Sequence, residues 1–141
     1  MQMDIDFKVL KTIFRFKKPV KVGRISRYLS LPHSTIGSCV KRLEKTGYVI
    51  YERYKPVSLT EKGRDVAIES IRHSRLLEML LINEIGLDKK VAHEESEKFN
   101  LPFSCEIINL ICEKYGHPKE CPCGESILDS IKCNCEKNNN K

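Results

Sequence analysis

Two sets of residues in this chain have types and spacings suited to chemistry. Near the C-terminus, Cys121-Pro122-Cys123 and Cys133-Asn134-Cys135 form a CxC-x9-CxC pattern, and four of the seven cysteines fall between 121 and 135. Four thiolates are the ligand count of a structural Zn²⁺ site and of an iron–sulfur cluster. Thiolates also favour soft or borderline metals over Mn²⁺. Near the N-terminus, Ser34, Thr35, Ser38, Lys41 and Arg42 recur at helical spacing as donors and cations, and Arg53-Tyr54-Lys55 follows as a basic loop. Arg27 adds one more cation just upstream. Groups of this kind meet phosphates and base edges of DNA.

The elements that must position these groups can be read from the pattern. Ile36, Val40 and Leu43 fall at i, i+4, i+7 and predict one buried helical stripe opposite the cationic face. Ser34 is expected to cap that helix and Gly47 to end it. The run YVIYERYKPVSLT predicts a β-hairpin with Arg53–Pro56 at its tip. Upstream, Asp6–Phe16 predicts a helix with Phe7, Leu10 and Phe14 inward, and Val22–Ser30 a second with Val22, Ile25 and Leu29 inward. Helix, tight turn, helix, hairpin is the order of a winged helix-turn-helix. Gly37 inside the recognition helix implies close approach, either of DNA or of a neighbouring helix.

Downstream, Thr60 is expected to cap a long helix from Glu61 to about Ile85. Its first half reads as a polar spacer and its second half, Leu76–Ile85, as apolar on several sides and so part of a dimer interface. Asp88–Asn100 predicts a short acidic helix. Ser104 should cap another over Cys105–Tyr115, with Ile107, Ile108 and Ile111 packing. The fold class is thus mainly α with a small β wing. Three parts are expected: a winged helix-turn-helix over 1–63, a helical dimerisation and sensing domain over 64–118, and a cysteine-rich segment over 119–141.

Charge follows the same division. The net charge of +6 over 141 residues conceals +9 in residues 1–60 and −3 in the remainder. Basicity concentrated beside the helix and hairpin suits phosphate neutralisation. No apolar run is long enough for a bilayer and the N-terminus does not read as a signal peptide, so a cytoplasmic protein without membrane contact is expected. In that compartment a disulfide framework is not expected. No nucleophile–base pair or phosphate loop is present, and His33, His73, His93 and His117 are scattered, so the chain does not read as an enzyme.

The residues Leu43–Tyr51 (LEKTGYVIY), Val57–Gly63 (VSLTEKG), Arg75–Leu81 (RLLEMLL) with Ile85–Leu87, Ala92–Glu95 (AHEE), and Cys121-Pro122 with Gly124 and Ile127 carry a family pattern. The chain resembles the diphtheria-toxin-repressor family of metal-dependent transcription regulators nearly end to end. The resemblance implies a homodimer on a palindromic double-stranded operator, switched by Fe²⁺ or Mn²⁺. It also implies that Glu78 and His93 match ancillary metal ligands and that Glu97 matches a primary one. Three positions depart. A family His becomes Ser74, and a Glu-His pair becomes Asn100 and Leu101; an N-terminal ligand would fall near Ile5, with Asp4 and Asp6 as stand-ins.

These departures suggest that sensing has moved to Cys121, Cys123, Cys133 and Cys135. The expected function is a dimeric DNA-binding regulator, in the sense of a repressor, answering to iron or iron–sulfur status through an iron–sulfur cluster. Zn²⁺ is the rival occupant, and Fe²⁺ or Mn²⁺ at a residual Glu78, His93, Glu97 site a third reading. A protein-interaction module with a structural zinc site is the alternative of another class.

Overall fold

The computed structural model describes residues 3–98 and 104–128. The chain divides between Ala67 and Ile68 into two compact units.

The first unit is built from α1 (Met3–Phe16), α2 (Val22–Leu29), α3 (His33–Lys45), and the antiparallel strands β1 (Val49–Ile50) and β2 (Ser58–Leu59). The strands pair Val49 with Leu59 and Ile50 with Ser58, and a bridge from Val20 to Val57 ties the hairpin to the α1–α2 connection. Its core is aliphatic: Leu10 and Ile13 from α1, Ile25 from α2, Ile36, Val40 and Leu43 from α3, and Val49 and Val57 from the wing. The α3 stripe is the predicted one. On α1 the fully buried face is Val9, Leu10 and Ile13, with Phe7 and Phe14 only half-buried, so the predicted stripe is rotated. Burial of aliphatics at ~25 cal/mol per Å² makes this core the main stabilising term of the unit.

Gly47 ends α3 as expected. Its φ of 83° permits the bonds Gly47 N–H to Glu44 O (3.0 Å) and Tyr48 N–H to Leu43 O (2.9 Å), the paired pattern of a Schellman stop. Ser34 is not the cap. The N-cap position is Pro32, which makes no side-chain capping bond, and Ser34 lies one residue inside the helix. Proline fixes φ before the first turn, which does the same positioning without a hydroxyl.

The helix α4 (Glu61–Leu80) begins at Thr60, whose hydroxyl accepts the Gly63 N–H at 3.1 Å and donates to Gly47 O at 2.6 Å. Gly63 packs on the hairpin: a Cβ there would stand 1.9 Å from the Tyr48 carbonyl oxygen. The predicted single helix to Ile85 instead turns π-helical over Leu81–Ile85 and stops at Gly86, whose φ is 78°.

The second unit contains most of α4, then α5 (Lys89–Glu97) and α6 (Cys105–Lys114). Asp88 caps α5 by accepting from Lys90 N–H (3.1 Å), and Ser104 caps α6 by accepting from Ile107 N–H (3.4 Å). After α6 the chain makes a tight turn, closed by Gly124 N–H to Cys121 O at 2.9 Å. The apolar core here is small: Leu76, Ile108, Cys112, Cys121 and Ile127. The predicted polar spacer is a correction. Glu69, Ser70, Arg72, His73, Ser74 and Arg75 are all buried. Ile107, predicted to pack, is exposed. No helix among the described residues is long and apolar enough to cross a membrane.

Candidate DNA interface and metal centre

In the first unit, α2, α3 and the wing enclose an open groove. Arg27, Ser34, Ser38, Lys41, Arg53, Tyr54 and Lys55 line it, together with Lys21, Arg24, His33, Gly37 and Tyr51. Gly37 faces open space, since a Cβ there would meet nothing within 4 Å, so close helix packing does not explain it. Tyr54, at the wing tip, has φ of 67° and is 84% exposed. Lys55 pairs with Glu52 across exposed surface at 2.5 Å, a contact worth little in water. Arg53 lies over the Tyr54 ring at 5.0 Å.

Two of the predicted groove residues lie elsewhere. Thr35 is half-buried and does not line the groove. Arg42 is turned to α1, where its Nη2 donates to Asp6 Oδ1 at 2.8 Å. The same carboxylate accepts from Cys39 Sγ at 3.0 Å. Burial, then Asp6, push the Cys39 thiol far above the ordinary thiol range, leaving it unreactive. Asp6 thus has two partners on α3 within the first unit. Arg24 also lines the groove and is a cation that the sequence pattern did not single out.

In the second unit the chemistry gathers round one buried side chain. Arg75, fully buried on α4, pairs with Glu97 on α5, with Glu125 in the turn after α6, and with Glu78 at 3.3 Å. Its Nη1 also lies 2.8 Å from His93 Nδ1. His93 Nδ1 is 3.4 Å from Glu78 Oε2, and Cys123 Sγ lies 3.6 Å from the same oxygen. Glu78, His93 and Cys123 thus form one set of converging donors, and His93, Glu97 and Glu125 a second. The structure gathers Glu78, His93 and Glu97 around Arg75, with Cys123 from the cysteine motif beside Glu78 and His93. Glu125 was missed because nothing local distinguishes a glutamate whose partner lies fifty residues away.

Cys121 and Cys123 are joined as a disulfide, against the expectation of metal-binding thiolates and no disulfide framework. In that state neither sulfur is a thiolate ligand. Cys133 and Cys135, like Asn100 and Leu101, lie outside the described residues.

The donor set fits a metal ion. Three carboxylates, Glu78, Glu97 and Glu125, face one guanidinium, which leaves two negative charges around a half-buried imidazole. One oxygen of the fully buried Glu78 carboxylate, Oε1, has no hydrogen-bond partner among the described residues. A buried carboxylate oxygen without a donor is costly, and a divalent cation supplies what it lacks.

Comparison with known proteins decides the family. Residues 7–57 match the N-terminal DNA-binding domain of iron-dependent repressors, and residues 60–129 match their metal-binding and dimerisation domain. The chain belongs to the iron-dependent repressor family. Repressors of this family bind DNA through the first of these domains and bind metal and dimerise through the second. The chain is 33% identical over 106 residues to an uncharacterized HTH-type transcriptional regulator of Methanocaldococcus jannaschii, covering 72% of this chain and 85% of that one. It is 30% identical over 122 residues to the iron-dependent repressor IdeR of Mycobacterium tuberculosis, covering 84% of this chain and 53% of that one. It therefore spans about half the length of that repressor. Among solved structures, a manganese-dependent transcriptional repressor in complex with manganese superposes with a TM-score of 0.78 at 27% identity, over 88% of this chain and 58% of that one. These relatives are regulators, which agrees with a chain that carries no catalytic constellation in its sequence.

Proposed function

We propose that the chain is a homodimeric, metal-responsive repressor that reads operator DNA with the α3 groove and wing. Ser34, Ser38 and Lys41 are the major-groove face. Arg24, Arg27, Arg53, Tyr54 and Lys55 meet phosphates or the minor groove. Gly37 lets the helix backbone come close to the duplex. Exposed Ile107 and Leu110 on α6, with exposed Ile85, supply apolar surface for pairing with a second copy.

The observation that carries the metal-responsive part is the buried Glu78 carboxylate, whose Oε2 lies beside His93 and Cys123 and whose Oε1 has no hydrogen-bond partner among the described residues. Glu78, His93 and reduced Cys123 would hold a divalent ion, with Glu97 and Glu125 balancing charge around Arg75. A bound ion supplies two positive charges at a point where α4, α5 and the turn after α6 meet. A carboxylate, an imidazole and a thiolate favour Fe²⁺ or Zn²⁺ over Mn²⁺. The iron–sulfur reading needs thiolates at Cys121, Cys123, Cys133 and Cys135 together; the position of Cys123 beside Glu78 favours the divalent ion.

Anaerobic equilibrium dialysis of the reduced protein tests the assignment. Fe²⁺ or Zn²⁺ binding should weaken by at least ~10–100-fold in Glu78→Gln, the loss typical of even outer partners of a metal site. Unchanged binding in Glu78→Gln, or a brown protein carrying acid-labile sulfide, would overturn it.

A further inference from the structure

We propose that the chain holds a second transition-metal site, formed by Glu69 and His73 on α4 and Cys105 at the start of α6. One ligand atom from each lies within 4.8 Å of the others. Glu69 and His73 are four residues apart, the spacing that puts two side chains on one helical face. Both are buried, at 6% and 2% exposure, and Cys105 is half-buried. Low solvent exposure strengthens the attraction between an ion and its ligands.

This site shares no residue with the one around Arg75. His73 and Glu78 are five positions apart, about 140° round the helix, so the two sets face different directions. The helices that carry the trio are fixed to each other nearby: Arg72, next to His73, donates to Asn109 on α6 at 3.2 Å, four residues beyond Cys105. The register between α4 and α6 is therefore set before any ion arrives.

The donor types name the ion. One oxygen, one nitrogen and one sulfur suit a borderline divalent ion of the Zn²⁺ class and are poor for Mg²⁺ or Ca²⁺. Three protein ligands leave a fourth tetrahedral position open, the arrangement of an exchangeable site rather than a closed structural one. Ion binding would clamp the start of α6 to α4.

Cobalt is the probe, because a thiolate ligand gives Co²⁺ a charge-transfer band. The chain carrying Glu78→Gln with Cys121, Cys123, Cys133 and Cys135 all changed to Ser lacks the first site and the C-terminal thiols. Titrated anaerobically, it should bind about one equivalent of Co²⁺ with a thiolate band. Adding Cys105→Ser should abolish the band, and adding His73→Gln should weaken binding by at least ~10–100-fold. Absence of the band, or its survival in Cys105→Ser, overturns the proposal. If the multiple variant does not fold by circular dichroism, Cys105→Ser alone decides: it should lose about one equivalent relative to the unsubstituted chain, and equal stoichiometry overturns the site. Loss of binding in Glu78→Gln alone reports on the Arg75 site and leaves this one standing.

Discussion

The two units use charge in opposite ways. In the first, most cations stand outside an aliphatic core: Lys11 is buried, but Arg24, Arg27, Lys41, Arg53 and Lys55 are all exposed. In the second, Arg72, Arg75 and Glu78 are among the largest fully buried side chains in the chain, over an apolar core of five residues. Charges outside a core contribute little to the fold, so the exposed cations of the groove remain available to DNA. A unit with its charges inside depends on their balance, because a buried charge that loses its partner is strongly destabilising. That dependence is what a metal-responsive domain requires, since an ion that binds the folded state alone stabilises it by mass action.

The contrast is broken most severely at Arg75. Arg75→Met leaves Glu78 without its guanidinium and should cost about 3–5 kcal/mol in urea unfolding of the second unit. Lys41→Ala in the first should change stability by less than ~0.5 kcal/mol. Comparable losses at the two positions would erase the distinction. The first unit should be sensitive in packing instead. Gly63→Ala drives a Cβ into the Tyr48 carbonyl, and thermal unfolding should show a loss of roughly 1–3 kcal/mol.

The exposed cations should register in DNA affinity rather than stability. Lys41→Ala and Arg53→Ala should each lower the slope of log K against log salt by up to ~0.9 if they meet phosphates, measured by fluorescence anisotropy on duplex DNA. Arg42→Ala should lower it less, because its charge is committed to Asp6. A slope lost at Arg42 and retained at Lys41 would reverse the assignment of the groove face.

The smallest effect is expected at Glu84. Lys114, then Tyr115, hold its carboxyl below the usual glutamate range by hydrogen bonds. A carboxyl lowered in the folded state contributes stability that is present above its unfolded value and is lost as pH falls through its folded one. The advantage of the unsubstituted chain over Glu84→Gln should therefore be small near neutral pH and vanish in acid, as read from unfolding midpoints. An advantage that grows in acid would contradict the sign.

The first unit was legible in sequence and much of the second was not, for one physical reason. The α3 stripe, Gly47 and the caps at Thr60 and Ser104 express local rules, where spacing or a single residue type decides the outcome. The run from Glu69 to Arg75 looks like solvated helix surface, and periodicity of apolar residues cannot reveal that the buried Arg75 is compensated by Glu97 and Glu125. Those partners become visible only when the chain folds back. The same holds for Arg42, which reads as a DNA contact until Asp6 is placed beside it. Ser34 failed as a cap because Pro32 had already set the backbone.

An ion bound by Glu78, His93 and Cys123 in the second unit would govern DNA binding by the first. Fluorescence anisotropy of the reduced, metal-free chain on duplex DNA, with Fe²⁺ or Zn²⁺ added stepwise, tests this directly. Affinity should rise with metal in the unsubstituted chain and stay flat in Glu78→Gln. Metal-free protein that binds as tightly as the loaded form would contradict the account.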